Sequence, residues 1–367
     1  MTEMATNYRT PSGAQLRTRL SQASTMLLLL GGILLIFLIT KGIGSLLLTR
    51  FVTEMLIQVI LVIGLHVFMG NTNILWFPHI GFMGIGAYAS VIFSMGPTQK
   101  LMSLPDLYAF LAPIDMGFLP ALLGGALVAA VIAAIIGFPM MRLSDFPAVI
   151  AGFALLVVIH VILVHWSALT NGPQTLFGVE RHTYLGTATI WAGIAIVAAY
   201  AFKESKIGLL LRASREDLIA ARTIGVKIML VRWLALILSA FMAGLGGGLY
   251  AHYITAFMPD AFYLNETFVI LSMLVIGGPA TVSGAVLGTI LITVFYQSLR
   301  WVENSEALAA LLPGGAAGLS TLALAVTLIA VLIWRPSGVV ERQELSWFHM
   351  KWLGSLIRRQ RGYESRN

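Results

Sequence analysis

Few residues inside the apolar stretches of this 367-residue chain could do chemistry. His160 and His165 are five apart, so they do not share a helix face as a metal-binding pair would. Glu54 stands near the start of one apolar run and Glu266 just before another, with His66 and His160 the remaining ionisable candidates. A lone histidine in a helical bundle is more often a hydrogen-bonded packing residue than a relay, and ion-coupled carriers keep several ionisable groups in the membrane. The chain has no cysteine, which excludes disulfides, thiolate nucleophiles and Cys-ligated metals. The glycines of Gly277–Gly284 and Gly314–Gly318 lack the Lys-Ser/Thr with which a phosphate loop holds phosphate and magnesium. No carboxylate pair falls within an apolar run, and no Ser/His/Asp set can be assembled. The sequence therefore argues against an enzyme: no catalytic residue and no metal are expected, and any ATP chemistry would reside in another chain.

One polar segment stands apart. Residues 204–229 lie between two apolar runs and contain Ser214-Arg215-Glu216-Asp217-Leu218-Ile219-Ala220-Ala221-Arg222-Thr223-Ile224-Gly225. A serine followed by acidic residues suits a helix start and its dipole. Gly225 is placed to end that helix in a left-handed conformation. The expectation is one short helix, Ser214–Gly225, lying across a membrane face, with small alanines that let another protein approach.

The elements that hold this segment are membrane spans. The chain is 58% hydrophobic and 11% charged, with a mean hydropathy of +0.88, a balance no water-soluble surface supports. Runs long enough to cross about 30 Å of hydrocarbon as helices are Met26–Thr40, Phe51–Met69, Ile80–Ser94, Leu119–Met141 and Ala148–Trp166. Thr187–Phe202, Leu230–Tyr253, Thr267–Ile276, Val282–Leu299 and Leu319–Trp334 follow. Met26–Thr40 is followed by Lys41 and no small-x-small cleavage site, so it reads as a retained span. The fold class is an all-α polytopic bundle of about ten spans.

With both ends cytoplasmic, Lys203, Lys206, Arg212, Arg215, Arg222, Lys227 and Arg232 fall inside, as do Arg335, Arg342, Lys351, Arg358, Arg359 and Arg361, as the positive-inside rule requires. The net charge of +7 thus reads as topology and implies no nucleic acid. Residues 1–25 form an N-terminal tail, 26–334 the membrane domain with its cytoplasmic loop 204–229, and 335–367 a C-terminal tail. Trp166, Trp191, Trp233, Trp301 and Trp334 near span ends fit interfacial belts.

Two interruptions suggest broken helices. Asn71-Thr72-Asn73 and Pro78 flank Trp76 and Phe77, and Gly277-Gly278-Pro279 precedes Gly284. Irregular backbone at membrane depth is tolerated only against protein or a water-filled path, and transporters place substrate there. Asn73, Trp76, Phe77, His79, Gly277 and Gly278 are the candidate path residues, against the alternative of plain loops between short spans. Gly244 with Gly248 and Gly284 with Gly288 have the four-residue spacing of close helix packing. Gly84–Ala89 and Gly246–Ala251 share the pattern G-x-G-x-Y-A, a faint internal echo.

The run E-D-x-x-A-A-x-x-x-G resembles the loop by which permease subunits of binding-protein-dependent ABC importers dock on their ATPases. Glu216, Ala220, Ala221 and Gly225 match it, and the flanking Arg215 and Asp217 resemble the branched-chain amino acid (LivM-type) subfamily. Gly81–Tyr88, Gly172-Pro173 with Leu176–Val179, Ser239–Gly247, Val275–Gly278 with Gly284 and Gly288, and Arg335–Gly338 resemble further family segments in the same order. Where that family usually has a Gly-Gln-x-Ser-x-Gly-His run, this chain has Asn73–His79, and only His79 keeps its place. Its outer loop reads Asn171-Gly172-Pro173-Gln174-Thr175 instead of a doubled glycine followed by Asn-Gly.

The resemblance implies an inner-membrane permease with a second, homologous permease, two cytoplasmic ATP-binding subunits and a periplasmic solute-binding protein as partners. ATP and magnesium would be held by the ATPases, and the solute would be a branched-chain or other amino acid, urea or a small carboxylate. An ATP-independent carrier or channel is the alternative.

Overall fold

The computed structural model describes residues 13–143, 145–303, 318–335, 338–340 and 344. Among these, eight helices are long and apolar enough to cross a membrane, and two shorter apolar helices, His79–Ser94 and Leu319–Val331, bring the number to the ten expected. Most of the two tails, Gly314, Pro336 and Ser337 lie outside the described residues.

The spans are α1 (Gly13–Ile43), α2 (Leu46–Leu65, continuing as a π turn over His66–Gly70), α3 (His79–Ser94), α5 (Phe118–Met140) and α6 (Asp145–His165). After them come α8 (Leu185–Glu204), α11 (Ile228–Ile254), α12 (Leu264–Gly277, preceded by a 3₁₀ turn Pro259–Phe262), α13 (Val282–Glu303) and α14 (Leu319–Trp334). Short helices α4 (Pro97–Ser103), α7 (Ser167–Thr170), α9 (Lys206–Glu216) and α10 (Leu218–Thr223) lie in the connections. The only strand-like pairing among the described residues is the Leu176–Phe257 bridge, which pins the loop after α7 to the one after α11.

α2 is the buried axis: nearly every residue from Val52 to Gly70 is enclosed. Its neighbours pack close because they lack side chains at the crossing. A Cβ on Gly86 of α3 would lie 2.2 Å from the Gly244 Cα of α11, and one on Gly247 would lie 2.0 Å from the Met83 carbonyl. Gly86 and Gly247, one in each G-x-G-x-Y-A segment, are the points of closest approach between α3 and α11. Helices in lipid gain little from hydrophobic association, so such backbone approach is a principal source of cohesion.

The periphery is the reverse. α5 exposes Leu119, Leu123, Leu127, Val131 and Ile135, an apolar stripe at helical spacing suited to acyl chains. Trp301 and Trp334 are exposed at span ends, where an indole suits the headgroup region.

Candidate functional site

The polar segment 204–229 folds as two helices, a correction to the single helix expected. Ser205 caps α9, its side chain accepting from Gly208 N at 3.2 Å. Gly208, Leu211 and Ser214 form the buried face of α9, and Ser214 Oγ donates to Leu211 O, so Ser214 is interior to a helix and caps nothing. The second start is Asp217. Its backbone is extended, and its carboxylate accepts from Ile219 N at 2.9 Å and Ala220 N at 3.0 Å. A carboxylate in that position satisfies two orphan N–H groups and the helix dipole together, which serine cannot match.

Gly225 has φ +85, and Val226 N reaches Ala221 O while Gly225 N reaches Arg222 O. This pair of bonds is a Schellman closure, which needs a residue tolerant of the left-handed region. Only Ala221 of α10 is buried; Glu216, Asp217, Ala220, Arg222 and Gly225 are exposed, and Ile219 and Ile224 are each 75% exposed at the tip. The segment is a doubly capped knob with apolar side chains on its outer surface.

Arg215 ties that knob to the central helix, donating through Nη1 to Gly70 O at 2.6 Å. The end of α2 leaves carbonyls without helical partners, and each is met. Asn71 Nδ2 donates to Val67 O, Thr72 Oγ1 to Phe68 O, Asn73 N to Met69 O and Arg215 to Gly70 O. A cation at a helix C-terminus also suits the dipole. Asn73 completes the closure at φ +60 and is exposed.

The α12–α13 turn meets the same point. A Cβ on Gly70 would lie 2.4 Å from Pro279 O and 2.6 Å from the His66 ring. Gly278 adopts φ +114, and Gly277 is pressed against Gly284 and Gly288 of α13. The chain after α14 seals this turn: Val339 N donates to Ile276 O at 2.8 Å and Val340 N to Gly277 O at 3.0 Å. Glu344 caps α13, accepting from Val282 N at 2.9 Å and Ser283 N at 3.1 Å, and it pairs with the Lys203 ammonium at the end of α8. Burial pushes the Glu344 carboxyl up, but Lys203, Ser283 and the Val282 N–H outweigh it and hold the group below its ordinary 4.5. The ends of α2, α8 and α12, the start of α13 and the α9–α10 knob therefore form one junction.

The structure separates the remaining candidates. Gly277 and Gly278 belong to that junction and are buried. Trp76 is 1% exposed, its ring 4.9 Å from that of Phe68 and beside Gly152 of α6. His79 is buried and accounts for itself as packing: Nε2 lies 2.9 Å from Leu61 O, and Nδ1 lies 3.2 Å from Ser239 Oγ, joining α2, α3 and α11. Phe77 is half-buried, with edge contacts to Phe153 and Phe268. Gly70, Lys203 and Glu344 were missed in sequence as site residues. Asp217 could have been placed as a cap from the apolar and small residues that follow it, but Glu344 is 61 residues from Ser283 and carries no local signal.

The family model described as "Branched-chain amino acid transport system / permease component" matches residues 47–332. The high-affinity branched-chain amino acid transport system permease proteins LivM of Salmonella typhimurium and Escherichia coli are each 25% identical over 324 residues, spanning 78% of this chain and 68% of theirs. The guanosine ABC transporter permease protein NupQ of Bacillus subtilis is 27% identical, over 61% of this chain and 72% of its own length. No solved structure matches the chain.

Proposed function

This chain belongs to the branched-chain amino acid transport permease family, a family of multi-pass inner-membrane proteins, and from that premise we propose that it is the membrane subunit of an ATP-driven, binding-protein-dependent importer of a small polar solute. The observation that carries the reading is the exposed knob Asp217–Gly225, held by Arg215 to the end of the central span. Two cytoplasmic ATP-binding subunits would dock there through Glu216, Asp217, Ala220, Ala221 and Gly225, and they would hold ATP and magnesium. Closure of the ATPases moves the knob. Arg215 and the Gly70–Pro279 contact pass that movement to α2 and to the α12–α13 turn, and a path shared with a second, homologous permease opens to the other side. A periplasmic binding protein delivers the solute.

An amino acid is the solute favoured by the two LivM relatives, which align along most of the chain. A nucleoside is the second reading, favoured by the guanosine permease relative. An ATP-independent carrier fits less well, because a doubly capped knob exposing two isoleucines has no role in it. Mass spectrometry of the protein purified from native membranes in mild detergent tests the proposal. A second permease and two ATPases are expected in the preparation; a chain that purifies alone under several gentle conditions refutes it.

A further inference from the structure

The face between α6 and α12 brings polar and aromatic groups together. His160 of α6 stacks on Tyr263 at 3.8 Å between ring centroids, and its Nε2 lies 3.5 Å from an Asp260 carboxylate oxygen. Its Nδ1 is enclosed without a hydrogen-bond partner among the described residues. Two turns earlier on α6, roughly 10 Å deeper, stands Phe153. Five residues beyond Tyr263 on α12, roughly 7.5 Å deeper, stands Phe268. The two rings meet at Phe77, whose ring centroid lies 5.6 Å from that of Phe153 and 6.5 Å from that of Phe268. Phe153 and Phe268 keep 40% and 44% of their surface exposed. Phe153 is eight residues, or about 12 Å, into a helix about 31 Å long, near mid-membrane. A polar station thus sits above an aromatic constriction along one column.

Lipid does not account for this column. A carboxylate with a histidine whose hydrogen-bonding capacity is only partly used is costly against hydrocarbon, and such groups face protein or water. Another flank of α6 differs in chemistry: Ile159, Ile162 and Leu163 line an almost wholly apolar cavity of about 360 Å³ shared with Ile132 and Ile136 of α5.

Resting on the permease reading above, we propose that the α6–α12 face lines the outer half of the solute path. Asp260 and His160 receive a solute's amino group there, while Phe77, Phe153 and Phe268 close the path beneath it against the solute's apolar body. An exposed carboxylate above edge-packed hydrocarbon rings matches a small amine-bearing solute with an apolar side chain better than it matches an uncharged nucleoside. The broken segment 73–78 then has a purpose: it carries Phe77 from the end of α2 to the constriction while Trp76 anchors it in the core.

The absence of cysteine makes the test clean. In the assembled complex, His160→Cys and Phe153→Cys should react with a membrane-impermeant methanethiosulfonate added from outside, and Ile135→Cys on the lipid face should not. In vesicles containing the complex and its binding protein, Asp260→Asn should lower uptake of radiolabelled leucine about tenfold with ATPase assembly unchanged, and Asp260→Glu should restore it. If His160→Cys and Phe153→Cys are as inert as Ile135→Cys both with and without ATP, the column faces lipid and the inference is wrong. If they label but guanosine is carried and Asp260→Asn transports it normally, the amine assignment is wrong and the permease reading stands. Absence of ATPases from the complex defeats the permease reading itself, and the labelling result is independent of it.

Discussion

Replacing Arg215 with alanine removes the donor that joins the α9–α10 knob to the Gly70 carbonyl at the end of the central span. A hydrogen bond from a charged group is worth about 1.5–3 kcal/mol, and Arg215 is half-buried, so the lower end applies. About 1.5 kcal/mol is roughly a tenfold change in an equilibrium between two arrangements of the junction. The knob itself is capped by Asp217 and closed at Gly225 independently of Arg215, so it should still fold and bind the ATPases. The expected phenotype is therefore uncoupling: in proteoliposomes, Arg215→Ala hydrolyses ATP near the wild-type rate but imports about tenfold less solute per ATP. Arg215→Lys keeps the charge but loses the planar fork and should fall between the two. An unchanged ratio of solute to ATP in Arg215→Ala would refute the idea that force passes from the knob to α2 through Gly70.

Other perturbations separate docking from packing. Gly225→Trp should reach the membrane in normal amount yet abolish uptake, while Gly225→Ala, which meets open space but keeps φ +85, should cost only about 1–2 kcal/mol and weaken ATPase retention on affinity purification. Gly86→Leu, with no room at Gly244, should fail to accumulate as folded protein in a detergent-resistance assay. Trp76→Ala removes a packed ring and should lower stability by about 3–5 kcal/mol, seen as a reduced melting temperature in detergent. Glu344→Gln leaves the Lys203 ammonium enclosed without its counter-charge and should cost about 3–5 kcal/mol, part of which Lys203→Met recovers. The Glu344 carboxyl is held below 4.5, so its contribution is complete above that pH and is lost as pH falls further through the folded-state value; wild-type stability should be flat from pH 7 to 5 in this respect.

The membrane architecture was legible because lipid imposes a strong local rule: each run of apolar residues had to become a helix, and all ten did in some form. Close helix packing was likewise legible in the glycines, though not which helices meet: a side chain at Gly86 would strike α11 and one at Gly244 would strike α5. The polar segment 204–229 was readable as a helical connection but not in its shape. Ser214 and Asp217 are both acceptable caps in sequence, and the choice fell to Asp217 because Ser214 already lies on the buried face of α9. Burial of Trp76 and His79 depended on α6 and α11, distant in sequence, closing over the irregular segment that carries them. Glu344 capping α13 and Arg215 reaching Gly70 are long-range pairings with no periodic trace.

Docking of an ATPase on the knob can be tested by cross-linking. A single cysteine at the exposed Ala220, in a chain that otherwise has none, can carry a short photoreactive cross-linker in native membranes. The same probe at Glu180, in the loop that precedes α8 at the opposite end of that span, serves as control. An adduct is expected between Ala220→Cys and an ATP-binding subunit, with yield changing when ATP is added, and none from Glu180→Cys. Failure of Ala220→Cys to capture an ATPase, or equal capture from both positions, would contradict it.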